Sequence, residues 1–265
     1  MKKSQTKLTR KQRMGKFYIA TVVALMVVCL LALKYIIHTF HLDFVTLNPL
    51  VGTVIASATF VTGFLLSGVF TDYKEVDKIP AEMRAALESI LGEAEALARK
   101  DSKFKTEKLK SIMSKFIEEF EDGLSDTKNH SHMGCALDAI GELDQVFDDM
   151  ESRGVPPNYM TRIKQEQSNL RKLVLRVYHI QKTQFVPSIT MLVQTVVFSV
   201  IALLVFVETD FYTGLIELGL LSYLLLYTMR LIHVLEKPFR KGKDDTADDV
   251  SIFLLREFNQ HIKNS

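Results

Sequence analysis

Two long stretches without a single charge constrain this chain more than any other feature. Residues 44–71 contain no Asp, Glu, Lys or Arg over 28 positions, and residues 183–207 contain none over 25. About 20 apolar residues cross the hydrocarbon core of a bilayer, so each run is long enough to span one. Two further spans carry sparse charge. One runs from Phe17 to about Ile37 with Lys34 inside it; the other runs from Phe211 to about His233 and holds Glu217 and Arg230. A positive mean hydropathy of +0.12 beside 24% charged residues fits this segregation and excludes a purely soluble protein.

Basic residues set the expected orientation, because Lys and Arg stay on the cytoplasmic side. Lys2, Lys3, Lys7, Arg10, Lys11, Arg13 and Lys16 precede the first span with no acid among them. The connections 39–46 and 208–210 hold no Lys or Arg, whereas residues 72–182 hold 18 basic and 21 acidic residues. Four spans with both termini and the middle segment in the cytoplasm satisfy the rule. The expected organisation is a basic N-terminus (1–16), spans one and two (17–71), a cytosolic helical bundle (72–184), spans three and four (185–235) and an acidic cytosolic tail (236–265). The apolar run before Lys34 is longer than a usual signal-peptide core and no small-residue cleavage site follows it, so the first span is expected to be retained. Cys29, in the first span, and Cys135, in the cytosol, are too far apart in compartment to pair.

The middle segment reads as helix throughout. Apolar residues recur at Met83, Leu87, Ile90, Leu91 and Ala94, then at Leu109, Ile112, Met113, Phe116, Ile117 and Phe120, which is a 3.6-residue period. Asp122-Gly123 is expected to end that second helix, with a polar loop after it. A third stripe runs Met133, Leu137, Ile140, Leu143, Phe147, Met150 and is closed by Gly154 and two prolines. A fourth runs Ile163, Leu170, Leu173, Val174, Val177, Ile180 and heads into the third span, with Pro187 as an expected kink. Fold class is therefore all-α: a polytopic membrane protein with a helical bundle inserted between spans two and three. The mixed charge of the bundle argues against a nucleic-acid partner.

No catalytic motif is present: no nucleophile elbow, phosphate-binding loop, dinucleotide fingerprint, zinc-protease helix or paired-cysteine site. A non-enzyme is expected. His130, His132 and Cys135 make an incomplete zinc pattern, better read as a solvated loop. In the tail, Thr246-Ala247-Asp248-Asp249 matches a helix-capping pattern, followed by an amphipathic set Val250, Phe253, Leu254, Phe258 and Ile262. That set must bury its apolar side on the bundle, on a second subunit or on the membrane.

Charges inside spans are expensive and are treated first as functional. Lys34 and Glu217 are expected at similar depth near the outer surface. They either snorkel to the headgroups or form an ion pair or a charged outer vestibule. The second span carries small residues (Gly52, Ala56, Ser57, Ala58, Gly63, Ser67, Gly68) that permit close helix packing. Interleaved on one face are Ala56, Phe60 and Phe64. Such a stripe is either packing or, where copies of the helix ring an axis, a hydrophobic constriction.

Two stretches carry a family likeness. Thr59-Phe60-Val61-Thr62-Gly63-Phe64 resembles the neck segment of bestrophin anion channels. Leu235-Glu236-Lys237-Pro238-Phe239, with Asp244, Asp245, Asp248 and Asp249 after it, resembles the signature that follows the last membrane helix of that family. The resemblance implies a homopentameric, chloride-conducting channel of a bacterial inner membrane, with inorganic ions and the lipid bilayer as its other partners. It implies a pore neck of Ala56, Phe60 and Phe64, and a pore mouth at Asp72 and Lys74. The acids Asp244, Asp245, Asp248 and Asp249 correspond to the family's calcium clasp. Hard cations want six to eight oxygen ligands, so capping is the better reading of those acids and no cofactor is expected beyond that calcium. The chain departs from the pattern in having no Trp and in placing Asp72, whose sign favours cations, at the mouth. The alternative function is a non-conducting membrane protein whose bundle docks or scaffolds a partner.

Overall fold

The structure is a computed structural model describing residues 2–46, 48–125, 131–182, 187–236, 238–239 and 249–264. These residues divide into two compact units. The first holds α1 (Lys2–Thr39), most of α2 (Pro49–Asp77), α7 (Pro187–Phe206) and α8 (Phe211–Leu235). The second holds the end of α2 with α3 (Ile79–Lys100), α4 (Glu107–Ser125), α5 (Ser131–Ser152), α6 (Pro157–Lys182) and α9 (Phe253–Asn264). The chain is all-α apart from β1 (Val45–Thr46) and β2 (Val207–Glu208), which pair in parallel.

In the first unit, the segment Ile19–Thr39 of α1, the apolar run that begins α2, and α8 are each long and apolar enough to cross a membrane. The apolar stretch Thr190–Phe206 of α7 is shorter. Their shared core consists of branched aliphatics: Val23, Val27, Val193, Val197, Val200, Leu204, Leu218, Leu225 and Leu226. α2 starts cleanly because Asn48 caps it, its Oδ1 accepting the Val51 N–H at 3.0 Å, and because Pro49 follows with its φ already helical. The threonine hydroxyls of α2 bond back to carbonyls four residues earlier, Thr59 to Ile55 and Thr62 to Ala58, so they need no outside partner. α7 opens on Pro187 in its first turn; the link in which a kink was expected lies outside the described residues.

The second unit is an antiparallel bundle. Every residue of the first two predicted stripes is buried. In the third, Met133, Ile140, Leu143, Phe147 and Met150 are buried while Leu137 is only half-buried. In the fourth, Ile163, Leu170, Val174 and Val177 form the buried line. α4 and α5 run antiparallel, cross-linked by Lys108–Gln145, Lys115–Glu142 and Glu119–His132. α5 ends in a Schellman cap: Gly154, at φ +82°, lets Val155 N–H reach Met150 O and its own N–H reach Glu151 O. Arg153 then joins Asp101 at 2.6 Å and Asp149 at 2.9 Å and lies over the Phe104 ring, tying the ends of α3 and α5 together. The Asp101 carboxyl is held below the usual carboxylate range, first by the Lys103 backbone N–H and then by Arg153.

Three expectations need correction here. α4 does not stop at Asp122-Gly123 but continues to Ser125, and Gly123 packs closely under the Met133 side chain. His132 and Cys135 lie on helix α5, not in a loop. The tail helix starts at Phe253, with its first amides reaching Ile252 O, so the Thr246–Asp249 pattern does not cap it. Its buried side is Leu255, Phe258 and Ile262; Phe253 is exposed. That side packs on α3 and α4, which selects the bundle among the three covers open to it. Ion pairs Arg84–Glu257, Arg256–Glu121 and Lys263–Glu118 rim the contact.

Candidate functional site

The α2 helix has one side at work inside the chain and one side idle. Ala58, Thr62 and Val69 are buried, with Ile55 and Leu65 against the same core. Opposite them, Phe60 is 74% exposed and Phe64 70% exposed. Large aromatics normally dominate a core, so two of them left outside at consecutive turns are informative. Ala56, Phe60 and Phe64 lie with Gly52, Ile55, Thr59, Gly63 and Leu221 of α8 along one open apolar groove. The glycines leave that groove open, since a Cβ added at Gly52 or Gly63 would meet nothing within 4 Å and would only fill it. The three predicted neck residues thus share one face. Asp72 and Lys74 follow on the same helix, both exposed.

Lys34 turns out differently from either expectation. Lys34 does not snorkel: only 4% of its side chain is exposed, and it does not pair with Glu217. Its ammonium donates to Val205 O at 3.0 Å and to Val207 O, and sits 4.0 Å from Asp43 Oδ2. These carbonyls belong to the C-terminus of α7 and the start of β2, where a helix leaves acceptors unmet and where its dipole favours a cation. Asp43 is 7% exposed and also bonds to His38 Nδ1 at 2.8 Å, while its Oδ1 has no donor among the described residues. Glu217 is half-buried, with no hydrogen bond or ion pair among the described residues.

Sequence reasoning missed Asp43. The signal was available: in residues 17–71, Lys34 is the single Lys or Arg and Asp43 the single acid. A lone cation and a lone anion in one apolar hairpin have strong reason to meet. The β1–β2 pairing beside them was also missed, because two-residue strands leave no alternation to read.

No metal centre forms among the described residues: no group of three His, Cys, Asp or Glu could hold an ion. His132 bonds to Glu119 at 2.9 Å, and His130 lies outside the described residues. Of the clasp acids, Asp244, Asp245 and Asp248 lie outside the described residues; Asp249 is half-buried in the bend before α9.

No protein-family model matches the sequence, and no curated protein matches it either. Solved structures do. A bacterial bestrophin homologue from Klebsiella pneumoniae aligns over 94% of this chain and 97% of its own, at 14% identity and a TM-score of 0.69. A point variant of a bestrophin homologue from the same organism gives 0.72 over 92% and 97%, again at 14% identity. A structure described as a membrane protein variant gives 0.70 over 94% and 97%, also at 14% identity. The fold of this chain is bestrophin-like.

Proposed function

From that bestrophin-like fold, we propose that the chain assembles around an axis as an ion channel of a bacterial inner membrane. In this reading α1, α2, α7 and α8 cross the bilayer, both termini and the bundle are cytoplasmic, and the assembly is a homopentamer. Ala56, Phe60 and Phe64 line its neck. The observation that carries the reading is the idle face of α2. Two phenylalanines are left outside the chain's own packing, one turn apart, beside small residues that let copies of the helix approach closely. A ring of such side chains makes a narrow apolar constriction, which blocks ions by excluding the water they need.

Chloride is the first ion to test, as the family likeness implies. The charge at the cytosolic mouth works against it. Asp72 is exposed, and Lys78, whose charge would offset it, is engaged by Glu75 at 2.7 Å. Lys74 supplies positive charge next to the mouth.

The test is flux of chloride and of potassium, measured separately in liposomes, for the natural chain and for Phe60→Ala/Phe64→Ala. Widening the constriction raises basal flux, and the ion preference reports whether Asp72 or Lys74 dominates. Unchanged or absent flux from a protein that remains a folded oligomer refutes the neck and favours the scaffold alternative.

A further inference from the structure

Lys34 is one of three polar residues that are buried whole among the described ones, with Thr62 and Ser222, and the Asp43 side chain beside it is also buried. An isolated buried charge is too costly to persist without full compensation, so its surroundings show what it is for. Three consecutive carbonyls leave the end of α7, and the α1–α2 hairpin takes all of them. Lys34 holds Val205 O and Val207 O, and the Phe44 N–H donates to Phe206 O at 3.2 Å. Phe44 also stacks on Phe206 with ring centroids 5.2 Å apart. Asp43, the neighbour of Phe44, is fixed by Lys34 on one side and His38 on the other. The next residues, Val45 and Thr46, pair with Val207 and Glu208. Then come Asn48, which caps α2, and Pro49, which begins it.

We propose that Lys34 is the positioning residue of the neck. It clamps the loop between α1 and α2 to the end of α7 through Asp43 and the Val205 and Val207 carbonyls, and so fixes where the helix carrying Ala56, Phe60 and Phe64 begins. The clamp leaves little slack: Asp43 and Pro49 are six residues apart, and two of those between them are held in β1. This inference rests on the neck reading above. Loss of the Lys34 charge leaves the buried Asp43 carboxylate with the His38 bond alone and one oxygen without a donor, and frees the carbonyls. The loop then moves to hydrate the carboxylate, carrying the start of α2 with it.

The experiment measures liposome flux and thermal unfolding for Lys34→Met, Asp43→Asn and the two together, each with and without Phe60→Ala/Phe64→Ala. Lys34→Met raises basal flux about tenfold, since a buried carboxylate deprived of its ammonium favours the displaced loop. Adding Asp43→Asn lowers flux from the level of Lys34→Met towards that of Asp43→Asn alone, because the neutral side chain has no charge to hydrate. In the widened-neck background Lys34→Met adds nothing, since both act on one constriction. Natural flux in a folded Lys34→Met oligomer overturns the proposal, as does an unrelieved rise in the double variant or an equal rise in the widened-neck background. Where Lys34→Met does not assemble, Asp43→Asn alone decides. It keeps the carbonyl bonds of Lys34 and releases the loop, so a smaller rise supports the clamp and unchanged flux overturns it. If Phe60→Ala/Phe64→Ala leaves flux unchanged, the neck reading itself fails, an outcome separate from the behaviour of Lys34.

Discussion

Replacing Phe258 by Ala separates the forces that hold α9 on the bundle. The helix is short, 12 residues, and would not persist alone in water. Three side chains anchor it: Leu255 is 0% exposed, Phe258 2% and Ile262 4%. Truncating a buried Phe to Ala costs about 3–5 kcal/mol, the lost transfer energy plus the cavity left behind. The rim holds three ion pairs, Arg84–Glu257, Arg256–Glu121 and Lys263–Glu118, with carboxylates 64%, 27% and 54% exposed. Exposed pairs are worth roughly 0.2–1 kcal/mol each, so removing all of them costs no more than about 3 and less in salt. The apolar anchor therefore outweighs the rim. Native-state amide hydrogen exchange over α9 reads the difference directly, since about 1.4 kcal/mol is a factor of ten in the opening equilibrium. Phe258→Ala should speed exchange by two to three orders of magnitude, roughly, at any ionic strength. Arg84→Gln/Arg256→Gln/Lys263→Gln should speed it by less, and the gap should widen as salt is raised. Exchange in Phe258→Ala close to that of the natural protein, or a charge variant that opens α9 as fully, would refute the reasoning.

Two further outcomes follow from named contacts. Glu118 has its carboxyl held below the usual range, chiefly by the Lys263 ammonium, so its contribution to docking is complete above the ordinary carboxylate range near pH 4.3 and is lost as pH falls through the lowered value. The opening equilibrium of α9, taken from exchange relative to the intrinsic rate at each pH, should accordingly rise as pH falls through the carboxylate range, and Glu118→Gln should weaken that rise. Gly214→Ala should destabilise the first unit, because the added Cβ would lie 2.4 Å from Thr209 Oγ1 and 3.5 Å from Lys34 Cε; a thermal midpoint matching the natural protein would show that the segment around Thr209 gives way.

Legibility differed sharply between the two units, for a physical reason. In the bundle one side of each helix faces water, so charge and apolarity alternate with the helical period, and stripes such as Leu109 to Phe120 could be read residue by residue. In the apolar helices the contrast disappears. Nothing in the letters of α2 distinguishes Ala58 and Val69, which are packed, from Phe60 and Phe64, which are not. Local signals were reliable where the backbone alone decides, as at Gly154. They misled at Thr246–Asp249, where a capping pattern stands seven to four residues ahead of the helix that forms. Asp43 was passed over because it lies outside the apolar spans, although it meets Lys34, whose ammonium is held by carbonyls far along the chain.

The polar groups of the first unit sort by how they are satisfied, and the sorting bears on function. The threonines of α2 satisfy themselves within the helix, and Lys34 is satisfied by three acceptors brought from two hairpins. Both arrangements are self-contained, so a single chain has reason to keep them whatever surrounds it. Glu217 is different: half-buried, without a partner among the described residues, and one turn from Leu221 on the wall of the α2 groove. Lipid would serve the aromatics of that groove but would not serve a carboxylate four residues from it. In the proposed channel Phe60 and Phe64 face the axis, and water on that axis is what would reach the charge. The proposed channel therefore accounts for the idle face of α2 and the unmet carboxylate of α8 together.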